Sequence, residues 1–300
     1  MRTQMHERVK AAQDEITGAL EALDGTRFVE THWERPGGGG GRTRVMEGGR
    51  VLEKAGVNTS AVHGVLPEAA VASMRGKGID SDERRFFATG VSLVLHPWNP
   101  HAPTVHANYR YFELGPEGAP VAWWFGGGAD LTPSYLYEDD ARHFHGHLKE
   151  ACDGVDPAFY PDFKKRCDDY FFLRHRGESR GIGGIFYDDL RDREAQQLFS
   201  LADRCMSAFN PSYLPILERR KDTPFTDDQR DWQLQRRGRY VEFNLVWDRG
   251  TTFGLRTGAR VESVLMSLPL NARFRTDFSP TPGSDEDRLM QTLREPRDWV

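Results

Sequence analysis

The amino-acid sequence predicts an α+β protein in which α-helices cover both faces of a large, flat antiparallel β-sheet. Apolar and polar residues alternate in several central segments, whereas helical spacing dominates the segments on either side of them. The connections between consecutive predicted strands are short, which favours antiparallel pairing over parallel crossovers. No internal repeat or composition shift divides the 300 residues, so one domain over 1–300 is expected.

Composition and charge exclude several classes of protein. The net charge of −5 does not indicate a basic surface, so no nucleic-acid partner is expected. Mean hydropathy is −0.64, and no apolar run is long enough to span a membrane. The three cysteines lack CxxC spacing, which is typical of free thiols in a reducing compartment. With no apolar signal core at the N-terminus, a soluble cytoplasmic protein is expected.

The elements follow in order from these patterns. Residues 1–25 are predicted to hold an N-terminal helix, because apolar residues recur at helical spacing over 5–23. Alternation predicts strands at 48–58, 88–96, 104–112, 121–125, 181–187 and 240–247. Helical stripes predict helices at 138–152, 160–174, 193–209 and 256–268. A loose tail is expected over 277–300, since 277–287 is rich in Ser, Pro, Gly and acidic residues.

Polar residues share one face of two neighbouring predicted strands. Ser92 and His96 lie on the polar face of the first strand, and His106, Asn108 and Arg110 on that of the second. Burying such groups is costly unless they are paired, so the pattern indicates a lined pocket. An edge strand with a solvated face is the alternative.

Two further histidines are expected to point inward. His145 lies on the apolar stripe of its helix, and His175 belongs to a charged run that leads into a glycine-bearing strand. A core histidine bonded to a backbone carbonyl is the alternative for His145, and a loop-capping histidine is the alternative for His96. A metal centre, an acid–base centre and a satisfied core network therefore all stay open.

Two turn segments could also carry chemistry. Asp130 follows three glycines, which let a backbone approach a ligand closely, and it would serve as a base or as an acceptor of N–H donors. A turn or helix cap is the alternative. The segment 257–260 opens a predicted helix with an arginine, which suits an anion-binding site; an ordinary helix start is the alternative.

The same segments resemble the oxygen-dependent coproporphyrinogen III oxidase family over roughly residues 50–274. The resemblance is carried by ATGVSLVLHPWNPHAPTVHANYRYFEL, WWFGGGADLTPSYLY, FFLRHRGESRGIGGIFYDDL and RRGRYVEFNLVWDRGTTFGLRTGARVESVLMSLPL. One departure lies in the pocket: the family's Gly-Gly-Arg is here Gly258-Ala259-Arg260. That difference puts a backbone contact at Ala259 in doubt.

The resemblance implies oxidative decarboxylation of the ring A and B propionates of coproporphyrinogen III to vinyl groups, giving protoporphyrinogen IX. Dioxygen would be the co-substrate, without an organic cofactor. A homodimer is also implied, with an interface that includes 240–275. The implied substrate-binding residues are Ser92, Asn108, Tyr109, Arg110, Gly258, Ala259 and Arg260. The implied ligands of a divalent metal (manganese, copper or iron) are His96, His106, His145 and His175.

His106 and Asp130 are the expected catalytic residues. His106 matches the family's proton donor, and Asp130 would hold or remove a pyrrole N–H proton. Arg110 and Arg260 would fix propionates by charge-assisted hydrogen bonds. Two other functions stay in competition: an unrelated metal-dependent oxygenase with a histidine site, and a tetrapyrrole carrier without turnover.

Overall fold

A computed structural model of the protein describes residues 1–68, 71, 79, 81–256 and 259–300; the predicted substrate residue Gly258 lies outside them. One antiparallel sheet runs in the order β1-β2-β3-β4-β5-β6-β9, and β7 and β8 form a separate hairpin. The predicted α+β fold is thereby confirmed. The strands are β1 (Val29–Glu34), β2 (Gly39–Glu47), β3 (Leu52–Val65), β4 (Arg85–Pro97), β5 (Thr104–Leu114), β6 (Ala122–Thr132), β7 (Phe172–Leu173), β8 (Glu178–Ser179) and β9 (Gly184–Leu190).

Helices lie before, between and after these strands. Their bounds are α1 (Arg2–Asp24), α2 (Glu138–Asp153), α3 (Phe159–Tyr170), α4 (Ala195–Arg220), α5 (Asp227–Glu242), α6 (Arg249–Arg256), α7 (Val261–Leu265) and α8 (Asp285–Arg294). A π-helical turn, Phe243–Trp247, follows α5 directly.

The main core lies between one face of the sheet and helices α1, α2 and α4. On β4 and β5 the alternate residues Val91, Leu93, Val105 and Tyr109 are at most 2% exposed, as the alternation predicted. Helix α1 contributes a stripe at helical spacing that includes Met5, Val9, Ala12, Ile16 and Leu20. Burial of these apolar surfaces fixes the register, because a slip of one residue would turn the polar face of each strand into the core.

The second face of the sheet is covered only in part by the described residues. Helix α5 and the π-helical turn cover its end, where Tyr240 packs on His96 at a ring distance of 5.2 Å. Helix α7 lies over β2 and β3, where Asn58 Nδ2 donates to the Ser263 carbonyl at 2.9 Å. Between them runs a half-buried band, hereafter the polar strip, formed by Ser92, His106, Asn108 and Arg110.

The predicted strand over 240–247 is wrong, because this segment is helical. Tyr240, Phe243 and Asn244 are buried at helical spacing, whereas Leu245 and Val246 are 49% and 61% exposed. Apolar residues therefore face both the core and the surface. The resulting sequence pattern resembles that of a β-strand, which is why a strand was predicted. Packing against the sheet decides the outcome over local β-propensity.

The C-terminal region also differs from expectation. Of the helix predicted over 256–268, the described residues contain Arg256, which ends α6, and the short helix α7, whereas residues 257 and 258 lie outside them. The tail predicted to be loose contains α8, which Ser284 caps by accepting from the Asp287 amide and which buries Leu289 and Leu293. Beyond it, Trp299 Nε1 donates to the Ile182 carbonyl at 3.2 Å. The residues after 284 are therefore anchored to the core and not loose.

Candidate active site

Strand register lines up polar residues in a row across the second face. Asn58 pairs with Ser92, Ser92 with Asn108, and Asn108 with Gly128. Neighbouring strands are about 4.8 Å apart, so Asn58 and Asn108 stand about 10 Å from each other. The polar strip is therefore a broad, shallow surface on which a flat molecule of that width could lie.

At the centre of the strip, His106 is joined to a buried ion pair. Register places His106 opposite Asp130 on β6, and its Nδ1 lies 2.8 Å from Asp130 Oδ1. Arg180 Nη2 donates to both Asp130 oxygens, at 2.9 and 2.8 Å. The side chains of Asp130 and Arg180 are each 2% exposed, whereas that of His106 is 22% exposed. Only His106 of these three is accessible from the strip.

The ion pair determines where His106 carries its proton. Burial alone would raise the pKa of Asp130, but Arg180 and the hydrogen bond from His106 outweigh it and lower that pKa overall. An ionised carboxylate only accepts hydrogen bonds, so His106 Nδ1 must be the donor. In the neutral ring Nε2 is then the unprotonated atom, which makes it the atom that can exchange a proton with a ligand.

Arg180 is held by aromatic rings on its other side. Its guanidinium carbon lies 4.0 Å from the ring centre of Phe171, 4.5 Å from that of Tyr240 and 4.8 Å from that of Phe243. Arg180 was not among the predicted site residues, because within the charged run over 174–180 the inward position was assigned to His175. The available signal was Gly181, where a Cβ would lie 2.2 Å from the Leu131 carbonyl oxygen.

His96 and His145 are fully buried and satisfied within the protein. His96 contacts the Ser267 carbonyl at 2.8 Å and Thr104 Oγ1 at 3.2 Å. His145 contacts the Tyr160 hydroxyl at 2.9 Å and the Ile182 carbonyl at 3.1 Å. Burial lowers the pKa of both imidazoles, that of His145 to about 3. Each is a neutral ring with both nitrogens bonded.

His175 lies on the surface, so the prediction that it points inward is wrong for the single chain. Its Nδ1 accepts from Trp247 Nε1 at 2.9 Å and its Nε2 donates to Glu242 at 3.0 Å. The reason is that its partners lie at the end of α5 and in the π-helical turn, within the segment wrongly predicted as a strand. Its side chain is 37% exposed.

The four predicted metal ligands do not fit a common ion within one chain. Three of them already use both ring nitrogens on protein groups, as described above. In the parts of the chain that the structure describes, no three His, Cys, Asp or Glu side chains form a group that could hold a metal ion. A divalent metal stays a prediction from the resemblance, which metal analysis of the active protein would decide.

The buried imidazoles make stability depend on pH. Their pKa is about 6.5 in the unfolded chain and lower in the folded one, so below pH 6.5 the unfolded state binds more protons. Stability is therefore complete above pH 6.5, and we expect each histidine to remove roughly 1 kcal/mol per pH unit as the pH falls. Urea unfolding at pH 7, 6 and 5 measures this. His145→Gln should flatten the slope, and equal unfolding free energies at the three pH values would contradict it.

The remaining predicted substrate residues differ in what they present. Tyr109 is 2% exposed and points into the core on the opposite face, so only its backbone borders the strip. The Ala259 amide donates to the Gly254 carbonyl at 3.0 Å and is not free for an anion. Arg260 donates to Ser263 Oγ at 3.2 Å, and that hydroxyl lies 3.1 Å from Thr43 Oγ1. Arg260 therefore stands over β2, on the far side of the strip from Arg110.

Comparison with known proteins places the whole chain in one group. The family model for coproporphyrinogen III oxidase matches residues 4–299. The "Oxygen-dependent coproporphyrinogen-III oxidase, chloroplastic" of Glycine max is 54% identical over 100% of this chain and 80% of its own length. The oxygen-dependent oxidase of Drosophila melanogaster is 53% identical over 100% and 78%. The mitochondrial one of Homo sapiens is 51% identical over 100% and 67%.

These relatives also correct the expected compartment. The Glycine max and Arabidopsis thaliana proteins are named as chloroplastic, and the Rattus norvegicus and Homo sapiens proteins are named as mitochondrial. The prediction of a cytoplasmic protein is wrong against these relatives, because free cysteines and charge indicate a reducing environment without distinguishing compartments. No helix in the described part of the chain is long and apolar enough to cross a membrane.

Proposed function

The chain belongs to the coproporphyrinogen III oxidase family, and from this premise we propose that the polar strip is the surface on which it binds its substrate. The enzyme carries out the oxygen-dependent conversion of the ring A and B propionates of coproporphyrinogen III to vinyl groups, yielding protoporphyrinogen IX in haem biosynthesis. The observation that carries the assignment of the site is the accessible His106 above the buried Asp130–Arg180 pair.

The chemistry of the strip suits a porphyrinogen. This ligand has pyrrole N–H donors at its centre and carboxylates around its rim. His106 offers a proton-accepting nitrogen near the middle, while Arg110 on β5 and Arg260 over β2 stand on opposite sides, three strand spacings or about 14 Å apart. Charge-assisted hydrogen bonds from arginine to carboxylate would fix the orientation of the macrocycle.

Each decarboxylation is a two-electron oxidation. The propionate loses CO₂ and one hydrogen with its electron pair, and dioxygen with protons takes up the two electrons as hydrogen peroxide. His106 Nε2 would accept a pyrrole N–H proton, which raises the electron density of the ring that dioxygen oxidises. Asp130, whose side chain is 2% exposed, would hold the imidazole tautomer without itself contacting the substrate. The hypothesis that Asp130 itself removes the proton is therefore replaced by a positioning role.

Purified protein with coproporphyrinogen III, with and without dioxygen, tests the function. We expect conversion of propionate to vinyl only when dioxygen is present, read by product fluorescence after oxidation. Binding without release of CO₂ would indicate a tetrapyrrole carrier. Absence of both binding and conversion would favour an unrelated oxygenase and would overturn the proposal.

We also propose that the protein is a homodimer whose interface includes 240–275. The support is a set of large apolar side chains that solvent would otherwise contact: Leu245 is 49% exposed, Val246 61% and Phe274 61%. Large apolar side chains that are exposed within one segment favour an interface with another protein surface.

The dimer can be tested by charge substitution. We expect a Leu245→Asp, Val246→Asp double variant to sediment as a monomer at concentrations where the parent protein is a dimer, because the carboxylates would be desolvated at the interface. Val29→Asp is the matched control, since Val29 on β1 is 70% exposed outside 240–275. Unchanged sedimentation of the double variant would contradict the proposal.

A further inference from the structure

Arg110 reaches across a neighbouring strand instead of standing up from the sheet. Its partner in the register on β6 is Gly126. A Cβ built on Gly126 would lie 2.8 Å from Arg110 Nε and 2.9 Å from its Cζ. The guanidinium group therefore lies against the bare backbone of β6, which is possible only because residue 126 has no side chain.

On the far side of β6 the guanidinium meets a carboxylate. Arg110 Nη2 donates to Asp188 Oδ1 on β9 at 2.7 Å, and Nη1 donates to Asn108 Oδ1 at 3.1 Å. Two of the guanidinium nitrogens are thus fixed by protein groups, and the side chain keeps 40% exposure towards the strip.

The backbone of β9 is irregular next to Asp188, and this irregularity orients the Asp188 carboxylate towards Arg110. The pairing of β6 with β9 shifts register between Phe125, whose partner is Leu190, and Gly127, whose partner is Tyr187. Asp189, inside this bulge, has a φ of 54°, which is uncommon for a residue with a side chain. Its amide donates to Asp188 Oδ1 at 3.0 Å. Bulges often re-aim side chains beside functional sites, and this one fixes the carboxylate.

A second arginine approaches the same carboxylate. Arg249 Nη2 lies 3.7 Å from Asp188 Oδ2, and its guanidinium carbon is 4.9 Å from the ring centre of Tyr170. Burial raises the pKa of Asp188, but Arg110 and the Asp189 amide lower it further, so the group is ionised near neutral pH. One carboxylate therefore lies between two cations at the edge of the strip.

We propose that Asp188 is a positioning residue that holds Arg110 flat across Gly126, so that its guanidinium presents a fixed edge to a carboxylate of the substrate. The inference rests on the proposed function, in which Arg110 binds a propionate. Without Asp188, Arg110 would keep its charge but lose its fixed orientation. Its side chain would then have to be ordered when the substrate binds, and this loss of conformational entropy would weaken binding.

The primary test is Asp188→Asn in the full-length enzyme. We expect KM for coproporphyrinogen III to rise about 10-fold with kcat changed less than about twofold, because a uniform binding contact is weakened. Asp192→Asn is the matched control, since Asp192 is 56% exposed and pairs only locally with Arg193 in the contacts described. Thermal unfolding of both variants checks that the fold is retained.

A double-variant cycle separates positioning from a merely structural role. Asp188→Asn should add little to KM in an Arg110→Ala background, whereas a general disturbance would add its full effect there. Gly126→Ala should imitate Asp188→Asn, because the methyl group displaces the guanidinium.

The outcomes divide cleanly. A parent enzyme that fails to convert coproporphyrinogen III refutes the proposed function, and with it this inference. An impaired Arg110→Ala beside an unchanged or lowered KM in Asp188→Asn overturns the positioning role alone. Additive effects in the cycle overturn it as well. A raised KM with non-additivity supports it.

Discussion

His106→Asn is expected to lower kcat by about 10²- to 10⁴-fold while the protein stays folded. The side chain of His106 is the accessible member of the set around Asp130, and its Nε2 is free of protein partners in the contacts described. Asparagine keeps an N–H donor for Asp130 but has no group that exchanges protons near neutral pH. The effect should therefore fall on turnover and not on folding.

Steady-state kinetics and thermal unfolding together check this result. His147→Asn is a suitable control, because His147 lies on α2, the helix packed on the opposite face of the sheet. We expect the control to turn over normally. If His106→Asn retained more than about a tenth of the parent kcat, proton exchange at Nε2 would not be part of the rate-limiting chemistry.

Asp130→Asn is expected to damage both activity and folding. It removes the carboxylate that pairs with Arg180, which is then left as a cation with 2% exposure. Breaking a buried pair in this way typically costs about 3–5 kcal/mol in the free energy of unfolding. Turnover should also fall, by about 10²-fold or more, because the amide no longer enforces the productive tautomer of His106.

A second substitution separates these two effects. In Asp130→Asn, Arg180→Met the unpaired cation is gone, so we expect urea unfolding to recover much of the lost free energy. Activity should stay low, because His106 still lacks its carboxylate partner. Recovery of turnover in the double variant would contradict the positioning role of Asp130, and an unchanged unfolding free energy in Asp130→Asn would contradict the buried pair.

Local patterns predicted the sheet around the site because burial there follows strand alternation. Val91, Leu93 and Val105 face the core, while Ser92, His106, Asn108 and Arg110 face the strip, as expected from a period of two. The helices α1 and α2 follow from stripes in the same way. The strand prediction for 240–247 failed because some apolar residues of this segment are exposed on the surface, so its apolar residues do not mark a buried face.

The partners of the strip could not be read from local sequence. Arg180 and Asp188 are distant in sequence from His106 and Arg110, and each lies in a run of charges that would suit a solvated loop. The order of β5, β6 and β9 brings Asp188 to Arg110, and the segment between β8 and β9, where the Ile182 amide donates to the Leu131 carbonyl, brings Arg180 to Asp130. Likewise, the inward-pointing His96 and His145 were correctly placed, but their bonds to Ser267 and Ile182 depend on contacts far along the chain.

The bare backbone of β6 has a consequence for how this enzyme can evolve. Beneath the strip, Gly126 leaves room for Arg110, and a Cβ on Gly128 would lie 2.4 Å from the Ile185 carbonyl oxygen. Any side chain gained at either position would disturb strand pairing or an arginine before it altered contact with a ligand. We therefore expect mutations that change substrate preference to accumulate at the residues bordering the strip, where a single substitution leaves the β-sheet intact.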